Sequence, residues 1–378
     1  MDCDFKQNWD EIKDRMELWW AGKNSDQPVM AMQVAKPNAM PSAATVGWMK
    51  SSSGENKVES STPEDESANY EPFWTDFDGL MQRYAQLFTQ FHFTAETYPR
   101  FFANLGVASL AVFLGCKPIF TRDTIWYAHE FATLDDASVR FDENNEWLRW
   151  SLDTTRRAKE FAGSRFLAGF PDLTEHLDVL AALMDTQEMM ISMMTDAERV
   201  HELLRGIQQA WFKVYDMHYD IIRDEDGFSN YGPFQLLGKG KIAKLQCDMS
   251  AMISPAMFEE FAVPYLNEQA DWLDKSLYHL DGVNAIRHLD MVLGIKSLKA
   301  LQWTPGAGQP DGGDEAWDFI YQKALDAGKN IYALVAPQNL QRFIKKFGAK
   351  GVFIVSGAAD ETMAQQLVQM ARALSAGR

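Results

Sequence analysis

The chain contains little cysteine, and its cysteines lie far apart. Only three occur in 378 residues, Cys3, Cys116 and Cys247, and no two of them form a CxxC pair. The sequence therefore predicts neither a disulfide framework nor a zinc ribbon, and a reducing compartment fits best. We expect a cytoplasmic protein.

Long apolar runs and excess basic charge are also missing. The N-terminus lacks a basic segment followed by an apolar core, and no later run reaches the ~18 apolar residues that span a bilayer. The 36 Lys and Arg residues are outnumbered by 53 Asp and Glu, which gives a formal charge of −17. This balance argues against a nucleic-acid partner or an anionic membrane surface.

Strand and helix patterns alternate regularly from residue 150 to the end of the chain. The predicted strands in this part lie at 165–170, 243–247, 276–280, 298–303, 330–335 and 352–355. Such alternation is typical of a parallel sheet, and its count and the chain length favour a closed barrel over an open sheet. The prediction is an α/β fold, a (β/α)8 TIM-type barrel formed by residues 1–378 as a single domain.

Two segments lie outside this alternation. The pattern over 9–20 predicts an N-terminal helical extension, and the polar segment 50–72 predicts a surface insertion. Residues 73–93 also have a helical pattern. Thr195 with Glu198 predicts a helix start by a capping box, and Ser254 before a proline predicts another.

Polar side chains follow three of the predicted strands. His279 and Asp281 are two residues apart, so they share one face of a strand. Gln246 and Asp248 end the preceding strand, and Gln302 lies at the end of the following one. Because functional groups collect at the carboxyl ends of barrel strands, we expect these side chains to form one site.

The roles of these residues have structural alternatives. His279 and Asp281 fit acid/base catalysis or a divalent-metal site, but a His–Asp pair can equally hold its own tautomer. Asp248 can accept a proton, orient a cationic substrate, or cap its loop through backbone N–H groups. Cys247 is expected to be a small buried hydrophobe, and Asp172 to cap the following helix.

Several further residues are candidates for substrate binding. Tyr278, Trp303 and Trp126 lie near predicted strand ends and could line a pocket, although large aromatic residues are more often part of the core. Arg287 could meet an anionic group or pair with Asp290. We also assign Gln246 and Gln302 to substrate binding.

Several runs resemble the uroporphyrinogen decarboxylase superfamily, and its corrinoid methyltransferase-like branch in particular. They are 246–255 (QCDMSAMISP), 278–282 (YHLDG) and 302–308 (QWTPGAG). The resemblance covers nearly the whole chain and implies a TIM-type barrel. The zinc methyltransferases of this superfamily carry His-x-Cys and a second Cys near the last strand, whereas here Asp281 and Ser356 stand at the two Cys positions. A thiolate-rich zinc site is therefore absent, but zinc or another divalent ion held by His279 and Asp281 remains possible.

The resemblance implies three functional hypotheses. The leading one is an enzyme that moves a methyl group between a small methylated substrate and a corrinoid carried by a separate protein. The second is a lyase or hydrolase that uses His279, Asp281 and Asp248 for proton transfer, and the third is a non-catalytic binding barrel. Decarboxylation of uroporphyrinogen is disfavoured, because the strand at 28–34 (PVMAMQV) has no arginine for a polyanionic tetrapyrrole. A homodimer is familiar in the superfamily.

Overall fold

The computed structural model describes residues 5–37, 39 and 68–376. The predicted insertion at 50–72 lies outside the described residues except for its last five positions, where a helix begins at Glu71. No helix in the described part of the chain is long and apolar enough to cross a membrane.

Strands and helices alternate along most of the described chain. The strands are β1 (Val29–Ala35), β2 (Phe91–Ala95), β3 (Arg100–Phe102), β4 (Lys117–Phe120), β5 (Ile125–Ala128), β6 (Leu167–Gly169), β7 (Phe228–Tyr231), β8 (Leu236–Lys239), β9 (Ile242–Gln246), β10 (Lys275–Asp281), β11 (Ala300–Thr304), β12 (Asn330–Leu334) and β13 (Val352–Val355). The helices are α1 (Trp9–Trp20), α2 (Glu71–Thr75), α3 (Phe77–Thr89), α4 (Ser109–Phe113), α5 (Glu146–Ala162), α6 (His176–Leu183), α7 (Thr186–Thr195), α8 (Ala197–Ile222), α9 (Pro255–Phe261), α10 (Val263–Trp272), α11 (Leu289–Leu293), α12 (Asp318–Asp326), α13 (Pro337–Phe347) and α14 (Glu361–Ala376).

A seven-stranded, mainly parallel sheet forms the centre of the fold. Its order is β2-β1-β13-β12-β11-β10-β9, and only the β1–β2 pair is antiparallel. The predicted α/β class is therefore confirmed. Helices follow the parallel strands and cover the sheet, so the strands are buried on both faces, as in other parallel sheets.

Short strands lie between the two edges of this sheet. β3 pairs in parallel with β6, β6 contacts β7, and β7 contacts β9. The backbone N–H of Phe170 donates to the carbonyl of Asn230 at 3.2 Å, and that of Glu96 donates to the carbonyl of Met30 at 2.9 Å. Strand contacts thus run from β9 through β7 and β6 to β3, while the Glu96 bond to Met30 lies within the β1–β2 edge, and the regular pairing of the central sheet is restricted to seven strands.

Amphipathic helices bury one stripe of side chains against the sheet. In α13, Leu340, Phe343, Ile344 and Phe347 are buried at helical spacing. The predicted N-terminal helix is confirmed as α1, whose Trp19 ring packs edge-on against Phe353 at 5.2 Å. α1 therefore extends the core beyond the strand–helix repeats.

Two predicted helix starts have different outcomes. Ser254 does cap α9, since its side chain accepts a hydrogen bond from the N–H of Met257. The predicted start at Thr195 is wrong: Asp196 caps α8 by accepting from the N–H of Arg199, and Thr195 ends α7. Asp is at least as good an N-cap as Thr, so Asp196 takes the N-cap position, one residue later than predicted.

The helix predicted over 73–93 is confirmed only in part, by α2 as far as Thr75 and by α3 over Phe77–Thr89. Asp76 interrupts it, because its extended backbone ends α2 and its side chain accepts from the N–H of Gly79 to start α3. The last part of the segment is strand β2, which pairs with β1. Alternating aromatic residues in Phe91–Ala95 fit the edge of the sheet better than the surface of a helix.

Candidate active site and metal centre

Three adjacent strands bring the predicted site residues together at their carboxyl ends. His279 on β10 is in register with Gln302 on β11 and with Gln246 on β9. Asp281 lies on the same face of β10 as His279, with 3.9 Å between Asp281 Oδ2 and His279 Nε2. Asp248 follows β9 directly. The predicted convergence of these strand ends is therefore observed.

Gln302 fixes the tautomer of His279. The Nε2 amide of Gln302 donates to the carbonyl of Trp303 at 3.1 Å and to the Thr304 hydroxyl oxygen at 2.8 Å. A carbonyl can only accept, so the Gln302 oxygen must face the imidazole, and it accepts from His279 Nδ1. The proton of the neutral ring is therefore on Nδ1, and Nε2 presents a lone pair.

This lone pair points toward two carboxylates. One ligand atom each from Asp248, His279 and Asp281 lies within 4.8 Å of the other two. We call these three residues the acceptor cluster. Burial lowers the pKa of His279 despite the bond to Gln302 and the nearby Asp281, so the ring is neutral at neutral pH. Three acceptors that face one another, with no donor among the three, are suited to a cation.

The donor set of the acceptor cluster fits a divalent metal ion. One imidazole nitrogen and two carboxylate oxygens are ligands that zinc accepts, and carboxylates also suit harder ions. The Nδ1–H bond to Gln302 is the usual outer-sphere support of a metal-bound histidine. Asp248, His279 and Asp281 would hold the ion, and exposure of the Asp281 side chain, 41%, leaves one side of the cluster open.

The loop that carries Asp248 is held by a second aspartate, which is half-buried. Asp178 on α6 accepts from the backbone N–H of Asp248 at 2.8 Å and from that of Met249 at 2.9 Å. Asp248 itself accepts from the side-chain amide of Gln246 at 3.0 Å. The capping role considered for Asp248 is thus performed by Asp178, and the Asp248 carboxylate stays directed to the cluster.

A fully buried lysine lies behind the acceptor cluster. Lys244 Nζ is 2.8 Å from Asp172 Oδ1, 3.9 Å from Glu175 Oε2 and donates to Gln246 Oε1 at 2.6 Å. We call Asp172, Glu175, Lys244 and Gln246 the lysine network. Because Gln246 also donates to Asp248, hydrogen bonds run from Asp172 to the acceptor cluster.

Burial perturbs the ionisable groups of this region. It raises the pKa of Glu175 to about 8 even with Lys244 nearby, and that of Asp178 to about 7. The Asp248 carboxylate reaches solvent but is surrounded by protein on most sides, and its pKa rises to about 6. Burial alone would lower the pKa of Lys244, but Asp172 and Glu175 raise it. Clustered shifts of this kind are typical of functional sites.

Sequence reasoning missed Lys244, Glu175 and Asp178. A signal for Lys244 was present, since Lys244, Gln246 and Asp248 are spaced by two and share one face of an otherwise apolar strand. The prediction that Asp172 caps a helix is wrong: it binds Lys244 and accepts from the Tyr231 hydroxyl at 2.9 Å.

The remaining predicted contacts lie away from the acceptor cluster. Tyr278 and Trp303 are buried on the opposite face of their strands, where Trp303 packs on Trp317. Arg287 donates to the carbonyls of Asn284 and Ala251, and Trp126 is 64% exposed on β5. These placements argue against substrate binding by Tyr278 and Trp303, and that role stays a prediction for Arg287 and Trp126.

Cys247 and Ser356 do not join the acceptor cluster. Cys247 is buried, as expected of a small hydrophobe, and burial raises the pKa of its thiol well above the usual range. Ser356 is buried after β13 and donates to the carbonyl of Gly357 at 3.4 Å. Arg287 does not pair with Asp290, whose carboxylate binds Lys323 at 2.8 Å.

The fold of the chain is similar to that of a known enzyme. The methyltransferase from Methanosarcina mazei superimposes with a TM-score of 0.56 at 14% identity, over 97% of this chain and 98% of that chain. No protein-family model and no curated protein matches the chain. The likeness at this identity concerns the fold alone.

Proposed function

We propose that this protein is a methyltransferase-like enzyme that moves a methyl group between a small methylated substrate and a corrinoid held by a separate protein, with a divalent metal ion at the acceptor cluster. The observation that carries the proposal is the meeting of two carboxylates and the unprotonated Nε2 of His279. The fold shared with a protein described as a methyltransferase supports the reaction class.

The proposal includes a closed eight-stranded barrel. The short strands β3, β6 and β7 support closure, since they continue the strand order beyond the β9 edge of the seven-stranded sheet. In a barrel, the carboxyl ends of the strands form one open mouth, where loops bind substrates and partners. The acceptor cluster lies at this end, so a partner that docks there can reach it.

Each residue has a defined task in this scheme. Gln302 keeps the Nε2 lone pair of His279 directed to the metal position, and Asp178 holds the loop of Asp248. Lys244 compensates the charge of Asp172, and Glu175, whose pKa is raised to about 8, keeps its proton at neutral pH, so the lysine network adds no repulsion to the cluster. When bound, a divalent ion acts as a Lewis acid and lowers the pKa of a coordinated thiol or hydroxyl group.

Elemental analysis of protein purified without a histidine tag tests the metal. We expect stoichiometric zinc or another divalent ion in the wild type and its loss in His279→Ala and Asp281→Ala. Asp290→Ala is the matched control, because Asp290 is exposed and pairs only with Lys323. A metal-free wild type would overturn the metal-assisted proposal.

Absorbance spectroscopy with free cob(I)alamin tests the transfer. Wild-type protein should convert cob(I)alamin to methylcobalamin in the presence of a methylated donor, whereas His279→Ala should not. A panel of methyl ethers, methylamines and methyl thioethers covers the donor classes. No conversion with any donor, in protein that holds the metal, would contradict methyl transfer to a corrinoid.

A proton-transfer enzyme, such as a lyase or hydrolase, is the second candidate. The 3.9 Å approach of Asp281 to His279 Nε2 favours it, since a neutral imidazole beside a carboxylate is suited to accept a proton. Metal-free wild-type protein that turns over a substrate without any corrinoid would support this alternative.

A further inference from the structure

A cavity of about 310 Å³ lies beside the acceptor cluster. Pro233 lines this cavity, and the next residue, Phe234, packs its ring edge-on against the His279 ring at 5.1 Å. Asp172 lines the cavity as well and also belongs to the lysine network. The volume lies at the lower end of the range for small-molecule sites, about 300–1,000 Å³.

Four aromatic rings form part of the cavity wall. Phe73 and Trp74 of α2, Tyr84 of α3 and Phe102 of β3 contribute rings. The indole N–H of Trp74 donates to the carbonyl of Thr121 at 2.7 Å, which fixes this ring against the hairpin β4–β5. Rings held in this way offer flat surfaces that favour a planar, apolar ligand.

Arg83 gives the cavity a positive charge. Its guanidinium stacks on the Phe73 ring at 4.3 Å from the centroid, and Nη2 donates to the Phe73 carbonyl. No described carboxylate forms an ion pair with it, and Asp76 offsets the charge only in part, at longer range. Its remaining N–H groups are available for a charge-assisted bond to an anion.

The two acidic groups of the cavity are compensated. Asp172 is 2.8 Å from Lys244, and Asp123 is 3.6 Å from Arg122. Two neutral donors, the Tyr84 hydroxyl and the Asn104 side-chain NH₂, have no acceptor in the described part of the chain, while Asn104 Oδ1 already accepts from Gly106. A ligand with acceptor oxygens therefore suits the cavity better than a cation.

We propose that this cavity binds a planar, apolar molecule carrying a carboxylate, with the carboxylate paired to Arg83. The aromatic walls would hold its flat body, and Tyr84 and Asn104 would donate to its oxygens. Carboxylate and guanidinium form two parallel hydrogen bonds in their best geometry, which gives the site its preference for this group. The inference deepens the proposed function, because it names the chemical class of the substrate. Binding to the cavity does not depend on that function; only the statement that the bound molecule is the substrate rests on it.

Isothermal titration calorimetry with the full chain tests the cavity, with benzoate as the probe. Benzamide has the same shape without the charge, and cyclohexanecarboxylate has the charge without a planar ring. We expect benzoate to bind about tenfold or more tightly than benzamide, the size of one charge-assisted bond. Its affinity should also exceed that of cyclohexanecarboxylate several-fold.

Variants locate the binding. Arg83→Met should remove the preference for benzoate over benzamide, whereas Arg156→Met, at an exposed arginine of α5, should retain it. Tyr84→Phe deletes only a hydroxyl group and should weaken benzoate binding several-fold. If Arg83→Met does not fold, the result for Tyr84→Phe tests the proposal instead. Equal affinities for benzoate and benzamide, or unchanged binding in both Arg83→Met and Tyr84→Phe, would overturn the proposal.

The test separates this inference from the proposed function. His279→Ala should lose metal and methyl transfer but bind benzoate as the wild type does, because Arg83 does not contact the acceptor cluster. Binding of benzoate by a chain that holds no metal would leave the cavity proposal intact while the proposed function failed. Loss of benzoate binding in His279→Ala alone would instead contradict a cavity site built on Arg83.

Discussion

The lysine network and the acceptor cluster are built from similar acids, but only one contains its own cation. In the network, buried Lys244 lies beside Asp172 and Glu175 and compensates the Asp172 carboxylate. In the cluster, Asp248 and Asp281 face a histidine whose free nitrogen is also an acceptor. The two groups touch through Gln246.

The difference indicates which of the two groups is structural and which is left open for a ligand. A buried charge is costly unless it is paired, and the network meets this need internally. The cluster has one side exposed and must recruit a cation from outside. Four changes test this comparison, and they follow in order of decreasing expected effect.

Removal of the lysine should have the largest effect. Lys244→Met leaves the Asp172 carboxylate without its cation beside the protonated Glu175, and we expect a loss of about 3–5 kcal/mol in the free energy of unfolding. Urea denaturation measures it, with Lys350→Met at an exposed position as the control. Lys244→Met/Asp172→Asn should recover part of the loss; a double variant less stable than Lys244→Met would contradict the charge argument.

Removal of the outer support of His279 should weaken the cluster without destroying it. Gln302→Leu frees the Nδ1–H of His279, and we expect metal affinity to fall about 10–100-fold, as for other second-layer partners. Competition with a chromophoric chelator measures the affinity, and Gln365→Leu on the exposed face of α14 is the control. Unchanged affinity would show that Gln302 does not orient the ring.

The turn after Asp281 depends on a glycine. Gly282 has φ +79°, and no atom lies within 4 Å of the position that a Cβ would occupy. Gly282→Ala should therefore cost only backbone strain, about 1–2 kcal/mol, without a clash. Gly357 has equal space for a Cβ but no left-handed φ, so Gly357→Ala should cause no comparable loss of stability. Equal thermal stability of the two variants would refute the strain argument.

Glu175 should make stability pH-dependent. Its folded pKa of about 8 exceeds the ordinary 4.5, so the folded state retains a proton that the unfolded state has lost. The stabilisation is complete below pH 4.5 and declines as pH rises through 8, by about 1 kcal/mol between pH 7 and 8. Urea denaturation with EDTA at both pH values measures this decline.

Replacement of this carboxyl should remove its part of the pH dependence. Glu175→Gln cannot titrate and should abolish its contribution of about 1 kcal/mol between pH 7 and 8, whereas Glu259→Gln, at an exposed glutamate of α9, should behave as the wild type. A pH profile of Glu175→Gln that matches the wild type would mean that another group binds the proton.

The features of the fold and site that could be predicted from the sequence are those that depend on short periodicities. Strand alternation places His279 and Asp281 on one face, and the repeated strand–helix pattern predicts parallel strands whose ends meet. Both statements concern neighbours along the chain or a regular topology, and the structure confirms them. Barrel closure and the single domain stay predictions.

Contacts between distant segments could not be predicted in this way. Asp178 holds the loop of Asp248 from 70 residues away, and Lys244 meets Asp172 across the sheet. No local pattern encodes such pairs, because a helix position and a strand position meet only after the helix has packed. Tyr278 illustrates the opposite error, since an aromatic residue at a strand end was assigned to a pocket and lies in the core.

The alternation along β10 ties the chemistry of the protein to its assembly. Tyr278 and Leu280 are buried on one face while His279 and Asp281 occupy the other. A slip of one residue in the pairing with β11 would exchange the two faces and bury His279 and Asp281 in place of the apolar pair, so hydrophobic packing disfavours that register. The apolar residues of β10, which take no part in the chemistry, therefore select the register that forms the site while the chain folds.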